Sequence, residues 1–126
     1  MSKYEEHIEK ILKNNKISYI KEKTFSDLRG GLFRFDFYLP NFNCAIECDG
    51  QQHFYQVKTF QKTRKDFLKQ QEHDRLKNSY CLAKKIDLYR IPYWEINSIL
   101  NIDDIFNSKF LVKSRWHNDY LIVPKN

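Results

Sequence analysis

Three carboxylates lie in a stretch whose other residues have the pattern of buried strands. Asp36 lies between two phenylalanines, and Glu47 and Asp49 end the apolar run that begins at Cys44, with His53 four residues further on. Carboxylates are seldom buried without a partner. Three of them close to a histidine predict a site that binds a hard cation. The alternative is that they are exposed strand residues or members of structural ion pairs.

Two short strands joined by a tight turn would position these groups. Residues 32–39 alternate between apolar and polar, with Phe33, Phe35 and Phe37 in phase, which is the period of a strand with one face in a core. A Pro-Asn turn leads into the short apolar run at 44–48, which predicts a buried strand. The carboxylates would then lie on adjacent strand ends.

The chain before this pair predicts one helix and one strand. Residues 3–15 form an amphipathic helix, with Ser2 and Glu5 as a capping box. Residues 18–25 predict a strand, and a loop with two adjacent glycines follows it.

The longest helical pattern runs from Asp66 to Lys85, and residues 86–91 then alternate as a strand. This order implies a crossover connection and parallel pairing with the central strands. The predicted core-facing residues of the helix are Leu68, Leu76, Tyr80 and Ala83. A neighbouring face carries a polar stripe that can reach the strand ends, formed by Gln70, Gln71, Asp74, Lys77, Asn78 and Cys81. A second helix is predicted over 94–105, and residues 110–123 predict either an edge strand or a subunit contact.

The segments D-F-Y-L-P from Asp36, I-E-C-D-G-Q-Q-H from Ile46 and E-H-D-R-L-K-N from Glu72 together resemble the PD-(D/E)XK nuclease superfamily. The closer similarity is to the branch of very-short-patch repair endonucleases and EDxHD homing endonucleases, and it covers roughly residues 30–95. The resemblance implies an α/β fold of the restriction-endonuclease-like type, with a mixed central β-sheet flanked by helices. The length of 126 residues fits a single domain over 1–126.

The resemblance also implies a metal-dependent DNA endonuclease, of the homing or mobile-element kind or of the repair or junction kind. Its cofactor would be Mg²⁺, with Mn²⁺ as a substitute, and Mg²⁺ prefers one or two carboxylates together with waters. The matching metal ligands are Asp36, Glu47 and the backbone carbonyl of Cys48. The alternative is a nucleic-acid-binding module that keeps the fold without catalysis.

The chain departs from the superfamily pattern where the motif lysine is expected, because that position is Asp49. Asp49 would join the metal ligands or lie in a plain turn. Two residues can replace the lysine: His53, as a general base or acid, or Lys77 on the long helix. Asp74 would orient His53 or bind the metal through water. Glu5 would face the site from the first helix, unless it only caps that helix.

Basic residues mixed with aromatic ones follow His53 and predict contacts to DNA phosphates and bases. The basic residues of this loop are Lys58, Lys62, Arg64 and Lys65, and its aromatic residues are Phe54, Tyr55 and Phe60. An ordinary solvated loop is the alternative. Further predicted DNA contacts are Arg29 beside the paired glycines, Gln51 after the second strand, and Gln71 and Asn78 on the polar stripe.

The composition is compatible with this function but does not establish it. The chain has 22 basic and 16 acidic residues, for a net charge of +6, which suits a polyanionic partner. Three cysteines without C-x-x-C spacing predict buried free thiols rather than zinc ligands. No apolar run has the length of a membrane span, so we expect no membrane partner and a cytoplasmic or nuclear protein. Specific cutting of a long DNA site would require a homodimer.

Overall fold

The computed structural model describes residues 2–59 and 61–125. It is a mixed α/β structure with one four-stranded sheet and helices against both faces of that sheet. The helices and strands, in chain order, are α1 (Lys3–Asn14), β1 (Ile20–Thr24), β2 (Arg34–Leu39), β3 (Cys44–Asp49), α2 (Arg64–Lys84), β4 (Asp87–Pro92) and α3 (Ile102–Ile105).

The strands lie in the order β1-β2-β3-β4. The first three pair antiparallel, and β4 pairs parallel to β3, with Cys44 opposite Asp87 and Asp49 opposite Pro92. Helix α2 makes the crossover between these two parallel strands. The predicted mixed central sheet and its parallel pair are therefore confirmed.

Helix α1 begins at the predicted capping box. The Glu5 amide donates to the Ser2 hydroxyl, and the Ser2 amide donates to the Glu5 carboxylate. This helix buries Ile8 and Leu12 against one face of the sheet, where they join a cluster that includes Phe37.

Helix α2 turns part of its polar stripe toward the sheet, beside the predicted core residues Leu76 and Tyr80, which pack against the cluster on this face. The prediction that Leu68 and Ala83 face the core is wrong, because both are exposed. The buried residues of this helix are Phe67, Asp74, Asn78 and Cys81. The physical reason lies beneath the helix, where Arg90 on β4 is fully buried and binds the polar groups of α2.

Strand β2 changes the face on which it buries its phenylalanines. Phe35 packs in the cluster on the α2 side, whereas Phe37 packs in the cluster on the α1 side. The prediction that the phenylalanines share one face is therefore wrong. The change occurs at Asp36, where the paired residues of β2 and β3 end at Phe37 opposite Ile46.

The chain after β4 is irregular. The predicted helix over 94–105 is instead a 3₁₀ turn at Tyr93–Ser98 followed by the single turn of α3. Asn101 interrupts the helix because its side chain accepts from the Asp104 amide and caps α3. The segment 110–123 contributes one isolated bridge, Leu111 to Tyr89, instead of a full edge strand. In the described part of the chain, no helix combines the length and the apolar character that a membrane crossing requires.

Candidate active site

A cleft of about 360 Å³ opens where β2 and β3 separate. Helices α1 and α2, both strands and the turn after β3 contribute to its walls. The structure brings six of the eight predicted catalytic and metal-binding residues to this cleft, together with the predicted DNA contact Gln51. The six are Glu5, Asp36, Glu47, Cys48, His53 and Lys77. Glu5 both caps α1 and lines the cleft, so its two explanations are compatible.

Where β2 and β3 separate, hydrogen bonds from the Asp36 and Glu47 side chains replace the backbone hydrogen bonds between the two strands. The Asp36 amide donates to Glu47 Oε1 at 2.8 Å, and the Cys48 amide donates to Asp36 Oδ2 at 2.7 Å. Burial, and then the negative charge of Glu47, raise the pKa of Asp36 well above its ordinary range. Two adjacent carboxyl groups of this kind favour the binding of a cation, because a cation would stabilise both in their charged form.

The donor atoms at this end of the cleft fit Mg²⁺. Asp36 uses Oδ2 for the Cys48 amide, which leaves Oδ1 for a ligand. In a strand, the amide and carbonyl of one residue point to the same side, so the Cys48 carbonyl also points toward Asp36. Two carboxylates and one carbonyl suit Mg²⁺, which keeps several waters. Among residues 2–59 and 61–125, no group of three or more His, Cys, Asp or Glu side chains is arranged to hold a metal ion.

Lys77 reaches the carboxylates from α2. Its Nζ lies 3.1 Å from Glu47 Oε2 and 5.1 Å from the centre of the Phe35 ring. A single positive charge therefore lies beside the two acids, although the strand position of the motif lysine holds Asp49 instead. This contact fits the predicted replacement of that lysine by Lys77.

His53 lines the cleft from the turn after β3 and is held by a carboxylate from α2. His53 Nδ1 is 2.8 Å from Asp74 Oδ2 and 3.7 Å from Asp49 Oδ1. Burial disfavours the charged imidazolium, but the charges of Asp49 and Asp74 outweigh it and raise the pKa of His53 to about 9. Burial also opposes ionisation of Asp74, but Arg90 and then His53 lower its pKa below the ordinary value. Nδ1 therefore donates its proton to an ionised Asp74, which leaves Nε2 for a group in the cleft.

Arg90 binds the groups behind His53, and the sequence interpretation missed it. Its Nη1 donates to both oxygens of Asp49 at 2.9 and 3.1 Å. Its Nε donates to Asn78 Oδ1 at 2.7 Å, and its Nη2 donates to the Asp74 carbonyl at 3.3 Å. One signal was available: Arg90 is in phase with the apolar Leu88 on β4, and an arginine at a core position requires acidic partners.

Two predicted roles are wrong because this network buries the residues concerned. Asp49 is only 1% exposed and is absent from the cleft walls, since Arg90 and the Asn118 amide (3.0 Å) bind its oxygens. It is therefore not placed to bind a metal in the cleft. Asn78 is also 1% exposed, and it accepts from Arg90 and donates to the Arg115 carbonyl, so it cannot contact DNA.

Comparison with known proteins gives one partial similarity. No family model matches the chain, and no solved structure matches it. Over 76 residues, 60% of the chain, it is 29% identical to "Uncharacterized protein 307L" of Invertebrate iridescent virus 6. The aligned part spans 39% of that viral protein.

The remaining predicted DNA contacts are exposed or half-buried on the protein surface. Lys58, Lys62, Arg64 and Lys65 are all exposed, as is Arg29, whereas Gln71 is half-buried. The prediction that all four basic residues lie in a loop is wrong for Arg64 and Lys65, because the Thr63 cap starts α2 immediately before them. Phe60 lies outside the described residues. A second cavity of about 360 Å³, lined by Lys62, Lys69 and His73, adjoins the cleft at Gln70, which lines both. The three cysteines are free and buried, as predicted.

Proposed function

We propose that this chain is a metal-dependent DNA endonuclease that hydrolyses phosphodiester bonds. One observation carries the proposal: the Asp36–Glu47 pair at the strand separation lies in a cleft that Lys77 and His53 also line. The resemblance of the three sequence segments to PD-(D/E)XK nucleases supports the same conclusion. A repair, junction, homing or mobile-element role would be compatible with this chemistry.

Asp36, Glu47 and the Cys48 carbonyl would hold Mg²⁺, and Mn²⁺ would suit the same oxygen ligands. When bound, the cation supplies positive charge to the phosphate and lowers the pKa of the attacking water. Lys77 adds a fixed positive charge beside Glu47, where negative charge develops on the phosphate oxygens during attack. The exposed basic residues at 58–65 would hold the flanking DNA phosphates.

His53 is suited to act as the general acid. With a pKa of about 9 it carries its proton at neutral pH, and Asp74 fixes Nδ1, so Nε2–H is the available donor. When water attacks phosphorus, a new oxygen–phosphorus bond forms, the water releases a proton to solvent, and the bond from phosphorus to the leaving oxygen breaks. That oxygen takes the Nε2 proton, and His53 becomes neutral. A general base would instead have to be neutral at the start of the reaction.

Cleavage of supercoiled plasmid, branched DNA and RNA, each with Mg²⁺ or with a chelator, tests the proposal. We expect DNA to be cut only when Mg²⁺ is present. Asp36→Asn and Glu47→Gln should each abolish this cutting, because a proposed metal ligand is lost while the basic surface remains. Asp103→Asn is the matched control, since Asp103 is exposed on α3.

Cutting by both variants at the rate of the unaltered protein would refute the site assignment. The second candidate function is a nucleic-acid-binding module without catalysis. It is favoured by the acidic Asp49 at the position of the motif lysine. DNA binding without cutting under any of these conditions would select it.

A further inference from the structure

The segment from Ser114 to Tyr120 crosses behind the cleft and binds the Arg90 network from outside. It follows Val112, whose amide donates to the Leu88 carbonyl at 2.8 Å beside β4. The Arg115 carbonyl then accepts from Asn78 Nδ2 at 3.0 Å, and Asn118 Nδ2 donates to Asp49 Oδ2 at 3.0 Å. The segment therefore contacts two members of the network, one on α2 and one at the end of β3.

We propose that Asn118 is a positioning residue for His53, acting through the carboxylate of Asp49. The inference rests on the proposed function for its catalytic consequence. Its structural part stands on geometry alone, because it concerns which carboxylate holds the His53 ring.

His53 Nδ1 has two carboxylates within reach, and they are not equivalent. Asp74 Oδ2 lies at 2.8 Å, whereas Asp49 Oδ1 lies at 3.7 Å, beyond hydrogen-bond range. Arg90 binds both oxygens of Asp49 through the same nitrogen, so this bond alone permits the carboxylate to rock about Nη1. The Asn118 amide fixes Oδ2 from a second direction and so holds Oδ1 away from the ring. Without this amide, Asp49 would compete with Asp74 for Nδ1, and Nε2 would no longer have one position in the cleft.

Two contacts on the outer surface of α2 keep Asn118 in place. Arg75 makes a two-pronged ion pair with Asp119, with its Nε and Nη2 at 3.1 and 3.3 Å from the carboxylate oxygens. The Trp116 ring lies 4.8 Å from the guanidinium groups of both Arg75 and Arg115. Such a pair adds geometric definition beyond that of a single surface salt bridge.

The test compares Asn118→Ala and the isosteric Asn118→Asp with Asn97→Ala, an exposed control. Asn118→Asp keeps the shape of the side chain but replaces the donor by a charge that repels Asp49, so it separates hydrogen bonding from packing. Asp119→Asn, which weakens the outer ion pair, provides a second route should both Asn118 variants fail to fold. The first readout is the NMR signal of the His53 Nδ1 proton, assigned with His53→Gln. The second is the cleavage rate, separated into kcat and KM.

We expect the Nδ1 proton signal to shift or broaden in the Asn118 variants, and kcat to fall by about 10- to 100-fold, the scale of a misplaced catalytic group, at constant KM. The control should change neither. An unchanged His53 signal in both Asn118 variants would overturn the structural part, and a changed signal with unchanged kcat would overturn the catalytic part. The NMR readout needs no activity, so a protein that cuts no substrate would refute the proposed function while a shifted signal still supported the positioning of His53.

Discussion

Replacement of Arg90 by methionine should be among the most destabilising single changes in this protein. Arg90 is 0% exposed, and its loss leaves the carboxylates of Asp49 and Asp74, 1% and 2% exposed, with one buried cation, His53, between them. Breaking a buried ion pair by removing one partner costs about 3–5 kcal/mol, because the remaining charge is uncompensated. Arg34→Met is the matched control, since Arg34 forms an ion pair with Glu22 at 3.6 Å on the surface. The loss of such an exposed pair costs about 0–1 kcal/mol.

These free energies convert into a measurable thermal shift. At about 2.1 cal/mol/K per residue, the 126 residues give an unfolding entropy of about 0.26 kcal/mol/K. The predicted loss of Tm is therefore about 10–20 °C for Arg90→Met and at most about 4 °C for the control. Circular dichroism during heating and in urea measures both. Equal losses in the two variants would refute the argument that Arg90 neutralises buried carboxylates.

The difference in stability between the unaltered protein and Arg90→Met should depend on pH, because the folded protein lowers the pKa of Asp74. The folded protein holds the pKa of Asp74 below its ordinary value, so the stabilisation by Arg90 is present above that ordinary value and is lost as pH falls through the folded pKa. In Arg90→Met the Asp74 carboxyl group loses this cation and binds a proton more readily. The difference in stability between the two proteins should therefore shrink as the solution becomes acidic.

Three further predictions concern the cleft and the basic surface. The folded pKa of His53 is about 9, above its ordinary value of 6.5, so the charged imidazolium stabilises the protein fully below pH 6.5. This contribution of about 3 kcal/mol should be lost as pH rises through 9. Urea unfolding should then show a decline in the free energy of unfolding that is absent in His53→Gln. Lys77→Met should lower kcat with little change in DNA affinity, since its Nζ binds Glu47 rather than the outer surface, and an unchanged kcat would exclude it as the substitute for the motif lysine. Alanine at Lys58, Lys62, Arg64 and Lys65 should reduce the slope of log affinity for duplex DNA against log salt concentration, by about 0.9 per lost phosphate contact. An unchanged slope would identify these positions as solvated surface.

Local signals were sufficient to predict the elements that build the cleft. The alternation around Asp36, the apolar run before Glu47 and the capping box at Ser2 depend on neighbours within a few residues, and the strands and α1 lie where these signals place them. The polar stripe of α2 is predictable for the same reason, since helical spacing alone puts Asp74 and Lys77 on one face.

What the sequence did not disclose depends on contacts between distant segments. The acidic neighbours of Asp49 predict a metal ligand, yet its partner Arg90 lies 41 residues away and Asn118 lies 69 residues away. The apolar side chain of Leu68 predicts a core position, but the buried Arg90 guanidinium binds the polar side of α2, and Leu68 is left exposed. Helix propensity and hydrophobic periodicity do not reveal which face of α2 turns inward, because here that depends on one buried charge, Arg90, on another strand.

The two edges of the sheet limit how copies of this chain could associate. Strand β1, which reads I-K-E-K-T, is one edge strand, and its residues at 21–23 are all charged. Charges on an edge strand discourage another strand from pairing with it. At the opposite edge, the Val112 amide already donates to the Leu88 carbonyl of β4, and Leu111 forms a bridge to Tyr89. Continuation of the sheet from one copy into the next is therefore disfavoured at both ends, and a dimer would have to form through helices or loops instead.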